Sequence, residues 1–177
     1  MDSIVVDPSL NSVKAVCILD NDGKRILCKY YDNTFPTVKE QQKFEESLFK
    51  KTQRANAEII MHEGVTAVYK SNVDLFFYVL GSQNENELML MAVLNAVYDS
   101  VNQILKKNVE KRSLFEHMDA LLLVLDEVVD GGIILETDPT VVVQRIAIRV
   151  EEGSFTEQSV VQVLQSAKEN LKWSLLK

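Results

Sequence analysis

The segment Asn84–Asp138, NENELMLMAVLNAVYDSVNQILKKNVEKRSLFEHMDALLLVLDEVVDGGIILETD, predicts two consecutive helices. In the first, apolar residues recur at intervals of three and four and share one face: Leu90, Leu94, Val97, Val101 and Ile104. The second helix has a similar stripe: Leu114, Met118, Leu121, Leu125 and Val128.

Both helices carry more apolar residues than one buried face needs. Residues Leu88–Leu94 are apolar without interruption, so Met89 and Met91 lie on opposite sides of the first helix. In the second helix, Leu123 and Val124 lie off the main stripe. A helix that is apolar on more than one side is buried on more than one side. We therefore expect another protein to supply part of the cover.

Local signals predict where the helices begin and end. Ser, Thr, Asp or Asn followed three residues later by Glu forms a capping box at a helix start. The pattern occurs three times: Thr37 with Glu40, Asn84 with Glu87, and Ser113 with Glu116. The pair Gly131-Gly132 is predicted to end the second long helix, because glycine adopts the left-handed conformation found there.

Runs of apolar and β-branched residues between turn signals predict five strands: Val13–Asp20, Arg25–Tyr31, Glu58–His62, Val65–Lys70 and Leu75–Leu80. A helix over Lys39–Lys51 separates the first two strands from the other three. The order ββ-α-βββ-αα with short links favours an α+β fold with a five-stranded, mainly antiparallel sheet. We expect one helix on one face of the sheet and two on the other.

The remaining sequence predicts additional C-terminal helices. Asp138-Pro139 is a helix start, and a short helix to about Arg145 is favoured, with a strand over the valine run as the alternative. Residues Glu151–Gly153 are interpreted as a linker. An amphipathic helix that begins after Thr156 and contains Trp173 would dock on the domain or on a partner. We therefore expect a domain over residues 1–150 and a separate helix over 151–177.

Composition excludes several classes of function. The chain has 177 residues and a net charge of −7, which argues against nucleic acid as a ligand because phosphate binding needs clustered bases. The N-terminal residues lack the bases and long apolar run of a signal peptide, and we expect a cytoplasmic protein. Four bases between the long helices, Lys106, Lys107, Lys111 and Arg112, fit either a helix C-terminus or contact with an acidic partner or phosphoinositide.

The two cysteines are expected to be reduced thiols, as in other cytosolic proteins. If Asp22-Gly23 forms a two-residue hairpin turn, Cys17 faces Cys28 and Leu19 faces Ile26. A three-residue loop with Gly23 as the bulge shifts this register by one residue.

The sequence shows no constellation typical of an enzyme. His62 and His117 are the only histidines, and neither has a second histidine at metal-binding spacing. Asp126, Glu127 and Asp130 cluster at a helix end, where acids oppose the helix dipole. We expect these acids to meet a basic partner, and we expect no catalytic residue, metal or cofactor.

The local motifs resemble those of a known family. They are LDNDGKR, KYYDNTFP, KEQQKFE, VYKSNVDLFFYVLGS, NENELMLMAVLNAVYDS, KKNVEKR, LDEVVDGGIILETDP and TEQSVVQVLQSAKENLKWSLLK. From about Pro8 to the end, the chain resembles the zeta subunits of coatomer, the COPI coat. These belong to the longin-like small chains of vesicle-coat adaptor complexes. The extended C-terminal segment favours zeta over the sigma chains of clathrin adaptors.

The resemblance implies a non-enzymatic coat subunit. Zeta pairs with the trunk of the gamma subunit, an α-solenoid, inside a heteroheptameric coat. An Arf-family GTPase recruits that coat to Golgi membranes, where it forms vesicles for Golgi-to-ER retrieval and intra-Golgi transport. Such a subunit is cytoplasmic and is peripheral on Golgi membranes and COPI vesicles through the complex.

Two other interpretations remain open. A stand-alone longin-like module would bind or regulate a small GTPase directly, and an enzyme would use the acidic cluster. For the coat subunit, we expect the following residues to contact the partner: Met89, Met91, Leu123, Val124, Asp126, Glu127, Asp130 and Trp173.

Overall fold

Five antiparallel strands form the central sheet of the computed structural model, which describes residues 10–53 and 58–152. The order across the sheet is β2-β1-β5-β4-β3. The strands are β1 (Val13–Asp20), β2 (Arg25–Tyr30), β3 (Ile59–His62), β4 (Val65–Asn72) and β5 (Leu75–Ser82). The predicted five-stranded antiparallel sheet is confirmed, with strand ends shifted by at most two residues.

The two faces of the sheet belong to two separate hydrophobic cores. Along β1, Val16 and Ile18 point into one core, and Cys17 and Leu19 point into the other. Successive side chains of a strand alternate between faces. The nearly continuous apolar sequence of β1 and β5 therefore follows from cover on both sides.

The β1–β2 hairpin combines the two registers considered for it. Gly23, at φ +76°, closes a three-residue loop in which its amide donates to the Asp20 carbonyl at 2.9 Å, and Leu19 faces Arg25. A bulge next to Leu19 then shifts the pairing by one residue, so Cys17 faces Cys28. The predicted pairing of the cysteines is confirmed, whereas the pairing of Leu19 with Ile26 is wrong.

Helix α1 (Val38–Thr52) covers one face of the sheet. The predicted capping box is confirmed: the Thr37 hydroxyl accepts from the Glu40 amide at 3.2 Å, and the Glu40 carboxylate accepts from the Thr37 amide at 3.0 Å. The apolar side of the helix, Phe44, Leu48 and Phe49, is buried.

The other face is covered by α2 (Glu87–Ile104), α3 (Lys111–Glu116) and α4 (Met118–Val128). The predicted start of α2 is wrong by two residues, because Asn86 rather than Asn84 caps it and accepts from the Leu88 amide at 2.9 Å. The predicted second helix is divided at His117, whose backbone leaves the helical conformation at φ −128° and ψ 35°.

The predicted capping box of Ser113 with Glu116 is also wrong. Both residues lie inside α3, which begins at Lys111. The Ser113 hydroxyl instead accepts from the Asn108 side chain at 2.8 Å, so it stabilises the loop that precedes the helix.

The glycine pair Gly131-Gly132 forms a strand turn and does not end a helix directly. Helix α4 ends at Val128, and two short strands follow, β6 (Val129–Asp130) and β7 (Ile133–Ile134). Both glycines have positive φ, +54° and +84°, as a two-residue hairpin turn requires.

Helix α5 (Pro139–Glu152) confirms the helical prediction for the valine run and is longer than predicted. The Asp138 carboxylate accepts from the Thr140 amide at 2.8 Å at its start. The predicted linker is wrong for Glu151 and Glu152, which are helical, so α5 crosses the proposed boundary at residue 150. Because α5 packs on α2 and α4, more than two helices cover this side. The predicted helix after Thr156, with Trp173, lies outside the described residues.

Replacing Asn86 with alanine should lower the free energy of unfolding by about 1 kcal/mol, because the Leu88 amide loses its cap. The matched control is Asn84→Ala, which should change the stability by less than about 0.5 kcal/mol. Urea denaturation of both variants measures this difference. Equal losses would show that Asn86 is not the effective cap.

Candidate partner-binding surface

The first turn of α2 exposes apolar side chains to solvent. Leu88 is 76% exposed and Met89 is 42% exposed, whereas Leu90 is fully buried. Met91 is partly buried against the core formed with α4 and α5. Residues 10–53 and 58–152 thus do not fully cover the apolar turn from Leu88, which agrees with the excess found in the sequence.

Helices α3 and α4 place a second set of apolar side chains at the surface. Phe115 is 54% exposed and Leu122 is 43% exposed. Leu123 is partly buried against the core, and Val124 is fully buried. Helix α4 turns the Val124 side chain inward, so it is not part of this exposed surface, and its predicted contact with a partner stays untested.

Sequence reasoning missed Leu122 and Phe115 for a physical reason. The predicted stripe is buried on both sides of the break at His117, so the difference concerns the residues beside the stripe. Whether such a residue of α4 is buried depends on which side of the helix α2 and α5 cover. The sequence did contain a signal for an exposed apolar residue. Residues Leu121–Leu125 are all apolar, and one buried face of a helix can cover only some of them.

Two of the three clustered acids have basic partners within the chain. Asp126 forms an ion pair with Lys29 at 2.5 Å. Glu127 is almost fully buried, and its carboxylate lies 2.7 Å from Arg149 and 3.9 Å from Arg145. The Arg149 contact is close but poorly aligned for a hydrogen bond, so it acts chiefly as an ion pair.

These ion pairs explain how acids are tolerated at the C-terminal end of a helix. The helix dipole opposes acids at the end of α4, and bases of β2 and α5 compensate for two of them. Glu127 is buried within the chain and offers little surface to a partner. Contact of a partner with Asp126 or Asp130, which are exposed, stays a prediction.

A serine, a histidine and a glutamate meet between α1 and the β3–β4 turn, but their geometry does not fit a catalytic triad. The Ser47 hydroxyl contacts Nε2 of His62, and the Glu63 carboxylate lies 3.4 Å from the same nitrogen. In a triad the acid holds the opposite ring nitrogen, so that the imidazole can accept the serine proton. These contacts connect the helix to the turn.

The cysteines and Glu45 form a group of potential metal ligands in the described part of the chain. One ligand atom from each of Cys17, Cys28 and Glu45 lies within 4.8 Å of the others. Glu45 already accepts from Arg25 at 2.5 Å and from the Tyr30 hydroxyl at 2.9 Å. The adjacent guanidinium also repels a cation, so this donor set does not fit a metal ion.

Both cysteines are free thiols, and burial raises the pKa of the Cys28 thiol well above its ordinary value, with contact from Cys17 as a further cause. Titration of the denatured, non-reduced protein should find both thiols free. In the folded protein at neutral pH, Cys28 should react slowly with alkylating reagents, because only the thiolate is a good nucleophile. Failure to detect thiols after denaturation would contradict the assignment.

No helix in residues 10–53 and 58–152 is both long enough and apolar enough to cross a membrane.

Comparison with known proteins places the fold and the exposed helices in context. The model of the clathrin adaptor complex small chain family matches residues 12–153. Coatomer subunit zeta-1 of Homo sapiens is 60% identical over 177 residues, which cover 100% of both chains. Coatomer subunit zeta-2 of Homo sapiens is 60% identical over 171 residues, which cover 97% of this chain and 81% of that protein.

More distant similarities agree. Coatomer subunit zeta-1 of Oryza sativa subsp. japonica is 46% identical over 174 residues, which cover 95% of this chain and 98% of that protein. A chain of a homology model of the full-length AP-3 complex, in a stretched open conformation, is similar in fold with a TM-score of 0.62 at 19% identity. That similarity covers 81% of this chain and 96% of the other. The chain therefore belongs to the family of clathrin adaptor complex small chains and, within it, to the coatomer zeta subunits.

Proposed function

We propose that this chain is a non-enzymatic structural subunit of the COPI vesicle coat that pairs with the trunk of the gamma subunit. It acts in Golgi-to-ER retrograde transport and in intra-Golgi transport. The observation that carries the proposal is the 60% identity to a coatomer zeta subunit over the whole of both chains. Similarity at this level without gaps in coverage leaves little room for a different architecture.

The exposed apolar side chains support pairing with another protein. Four exposed apolar residues lie on the face of the sheet that α2, α3 and α4 cover, and each is more than 40% exposed: Leu88, Met89, Phe115 and Leu122. Obligate interfaces are more apolar than ordinary protein surfaces and bury more than about 2,000 Å² in total. An α-solenoid trunk presents long helices that can pack against such side chains.

The local chemistry supports a role without catalysis. Ser47 and His62 lack the geometry of a catalytic triad, and the Glu45 carboxylate beside Cys28 is already bound by Arg25 and Tyr30. In this proposal the chain is cytoplasmic and is peripheral on Golgi membranes and COPI vesicles, because an Arf-family GTPase recruits the complete heteroheptameric coat. The chain contacts the GTPase only indirectly.

Co-expression with the gamma trunk tests the proposal. The two chains should elute together at a stoichiometry of one to one, and the pair should melt at a higher temperature than the free chain, because a ligand that binds only the folded state stabilises it. Affinity capture from cytosol followed by mass spectrometry should recover the other coatomer subunits. The stand-alone regulator would be supported by a different result. The chain would then be a stable monomer that does not bind the gamma trunk and that accelerates nucleotide exchange on a small GTPase.

Two alanine variants separate the partner surface from the core. Met89→Ala should cost the free chain less than about 1 kcal/mol, because the side chain is 42% exposed, but should weaken gamma binding. The control Val124→Ala removes a fully buried side chain and should cost the free chain about 2 kcal/mol or more. Thermal melts with and without the gamma trunk measure both effects.

The same measurements can contradict the role of Met89. If Met89→Ala leaves the affinity for gamma unchanged, the first turn of α2 does not belong to the interface. Leu122→Ala then tests the α4 surface in the same way.

A further inference from the structure

The β4–β5 turn has an exposed and strained valine at its tip. Asn72 pairs with Leu75, so Val73 and Asp74 form a two-residue turn. Val73 is 87% exposed, the highest value among the exposed large hydrophobic residues, and its φ is +51°. A β-branched residue is a genuine outlier in this conformation, where glycine or asparagine is normally found. Stability of the isolated chain therefore favours a different residue at this position.

The turn is held firmly against the loop between α2 and α3. The Asn72 side chain donates to the Val109 carbonyl at 3.0 Å, and the Asp74 carboxylate accepts from the Lys111 amide at 3.1 Å. The Lys111 ammonium in turn reaches the buried Asp20 carboxylate of the β1–β2 hairpin at 2.7 Å. Contacts on both sides of Val73 therefore fix the direction in which its side chain projects.

The loop that holds this turn is strained as well. Lys106 and Lys107 have φ values of +52° and +70°. Within residues 10–53 and 58–152, four non-glycine residues have positive φ, and three of them lie in these two connected loops. Strained backbone concentrates at sites of function, where it is kept in spite of its cost. This clustering separates the two loops from the other turns of the described chain.

Lys106 and Lys107 add positive charge to the loop that holds the turn. Lys106 and Lys107 are exposed, and none of the ion pairs recorded in the described ranges involves either of them. The neighbouring bases differ, because Lys111 pairs with Asp20 and Arg112 pairs with Glu116. Lys106 and Lys107 follow the C-terminus of α2, where positive charge is favourable, and in a chain with a net charge of −7 they form a local positive patch that suits an acidic partner surface.

We propose that Val73, together with Lys106 and Lys107 of the loop that holds its turn, is an anchor that enters an apolar pocket with an acidic rim on the large subunit of the coat pair. This inference rests on the proposed function. A lipid surface needs no fixed backbone conformation at an inserted residue, whereas a protein pocket does. The rigid, strained turn therefore favours a protein partner. A rigid anchor also binds at a low entropic cost, because its side chain is already oriented.

Two substitutions of Val73 separate strain from binding. Val73→Thr keeps the β-branched shape and the strain but replaces a methyl group with a hydroxyl. Val73→Asn removes the apolar tip and relieves the strain, because asparagine tolerates the left-handed region. Both variants should bind the gamma trunk about tenfold more weakly than the wild type. Only Val73→Asn should raise the melting temperature of the free chain, by about 2–4 °C.

Val38→Thr is the matched control. Val38 is also exposed but lies at the start of α1, against the opposite face of the sheet, and its substitution should leave the affinity unchanged. Charge reversal, Lys106→Glu with Lys107→Glu, should weaken binding more at low salt than at high salt, because screening removes the electrostatic contribution. Isothermal calorimetry with the purified trunk measures the affinities of the wild-type chain and of all four variants.

The outcomes distinguish the two proposals. If the wild-type chain does not bind the trunk, the proposed pairing fails. If it binds and both Val73 variants bind equally well, the pairing stands and the anchor is refuted. Sedimentation with vesicles of neutral and anionic phospholipid provides the other control. Loss of vesicle binding in Val73→Thr with unchanged trunk affinity would assign the tip to the membrane and overturn the proposal.

Discussion

Replacing Gly132 with alanine is expected to lower the free energy of unfolding by about 3 kcal/mol, the sum of backbone strain and a steric clash. A Cβ atom at this position would lie 2.7 Å from the Val13 carbonyl oxygen, and the φ of +84° is unfavourable for any other L-residue. The same carbonyl region cannot move freely, because the Val13 amide donates to the Gly132 carbonyl at 3.0 Å. The β6–β7 turn would have to separate from β1.

Gly131→Ala is the matched control for this prediction. Gly131 also has a positive φ of +54°, but a Cβ atom there would meet nothing within 4 Å. This variant should lose only the strain contribution, about 1 kcal/mol. Urea denaturation of the two variants measures the difference. If both variants lose the same free energy, the close approach to Val13 does not limit residue 132.

Glu45→Ala is expected to destabilise the chain by about 3 kcal/mol, because it leaves a partly buried guanidinium without its counterion. The Glu45 side chain is only 3% exposed, and it accepts from Arg25 at 2.5 and 3.0 Å. It also accepts from the Tyr30 hydroxyl at 2.9 Å, so one carboxylate connects α1 to β2. Removing it breaks three hydrogen bonds at once.

A double replacement tests whether the charge or the connection matters. When both members of a buried ion pair become apolar, no charge remains unpaired. Arg25→Met with Glu45→Met should therefore recover most of the stability that Glu45→Met alone loses. A double-mutant cycle by chemical denaturation gives the coupling energy directly. Additive losses would show that Arg25 and Glu45 contribute independently.

Much of the sheet and α1 could be predicted because their signals are local. A capping box needs only residues three apart, and Thr37 with Glu40 forms one as expected. The pairing of Cys17 with Cys28 is correct for a different reason, because a bulge next to Leu19 offsets the three-residue loop that replaces the predicted two-residue turn. The capping rule placed the start of α2 at Asn84 by mistake. Two asparagines, Asn84 and Asn86, precede the helix, and only the conformation of the backbone shows that Asn86 is the cap.

The candidate surface was predictable only in part. The excess of apolar residues in the long helices was visible in the sequence, and Met89 is indeed exposed. Which residues form the excess was not visible, since Val124 is buried and Leu122 is exposed. The packing of α2 and α5 on α4 decides this difference, and it joins segments that are distant in the sequence.

The amino-acid sequence by itself determined the order of strands and helices along the chain and the family, because periodicity, capping and motifs are properties of neighbouring residues. Only the tertiary structure decided which acids at the end of α4 are buried and which bases they pair with. Glu127 is buried and paired with Arg149 because α5 packs against α4. It also decided which apolar side chains stay exposed, because burial depends on segments that are distant in sequence and adjacent only after folding.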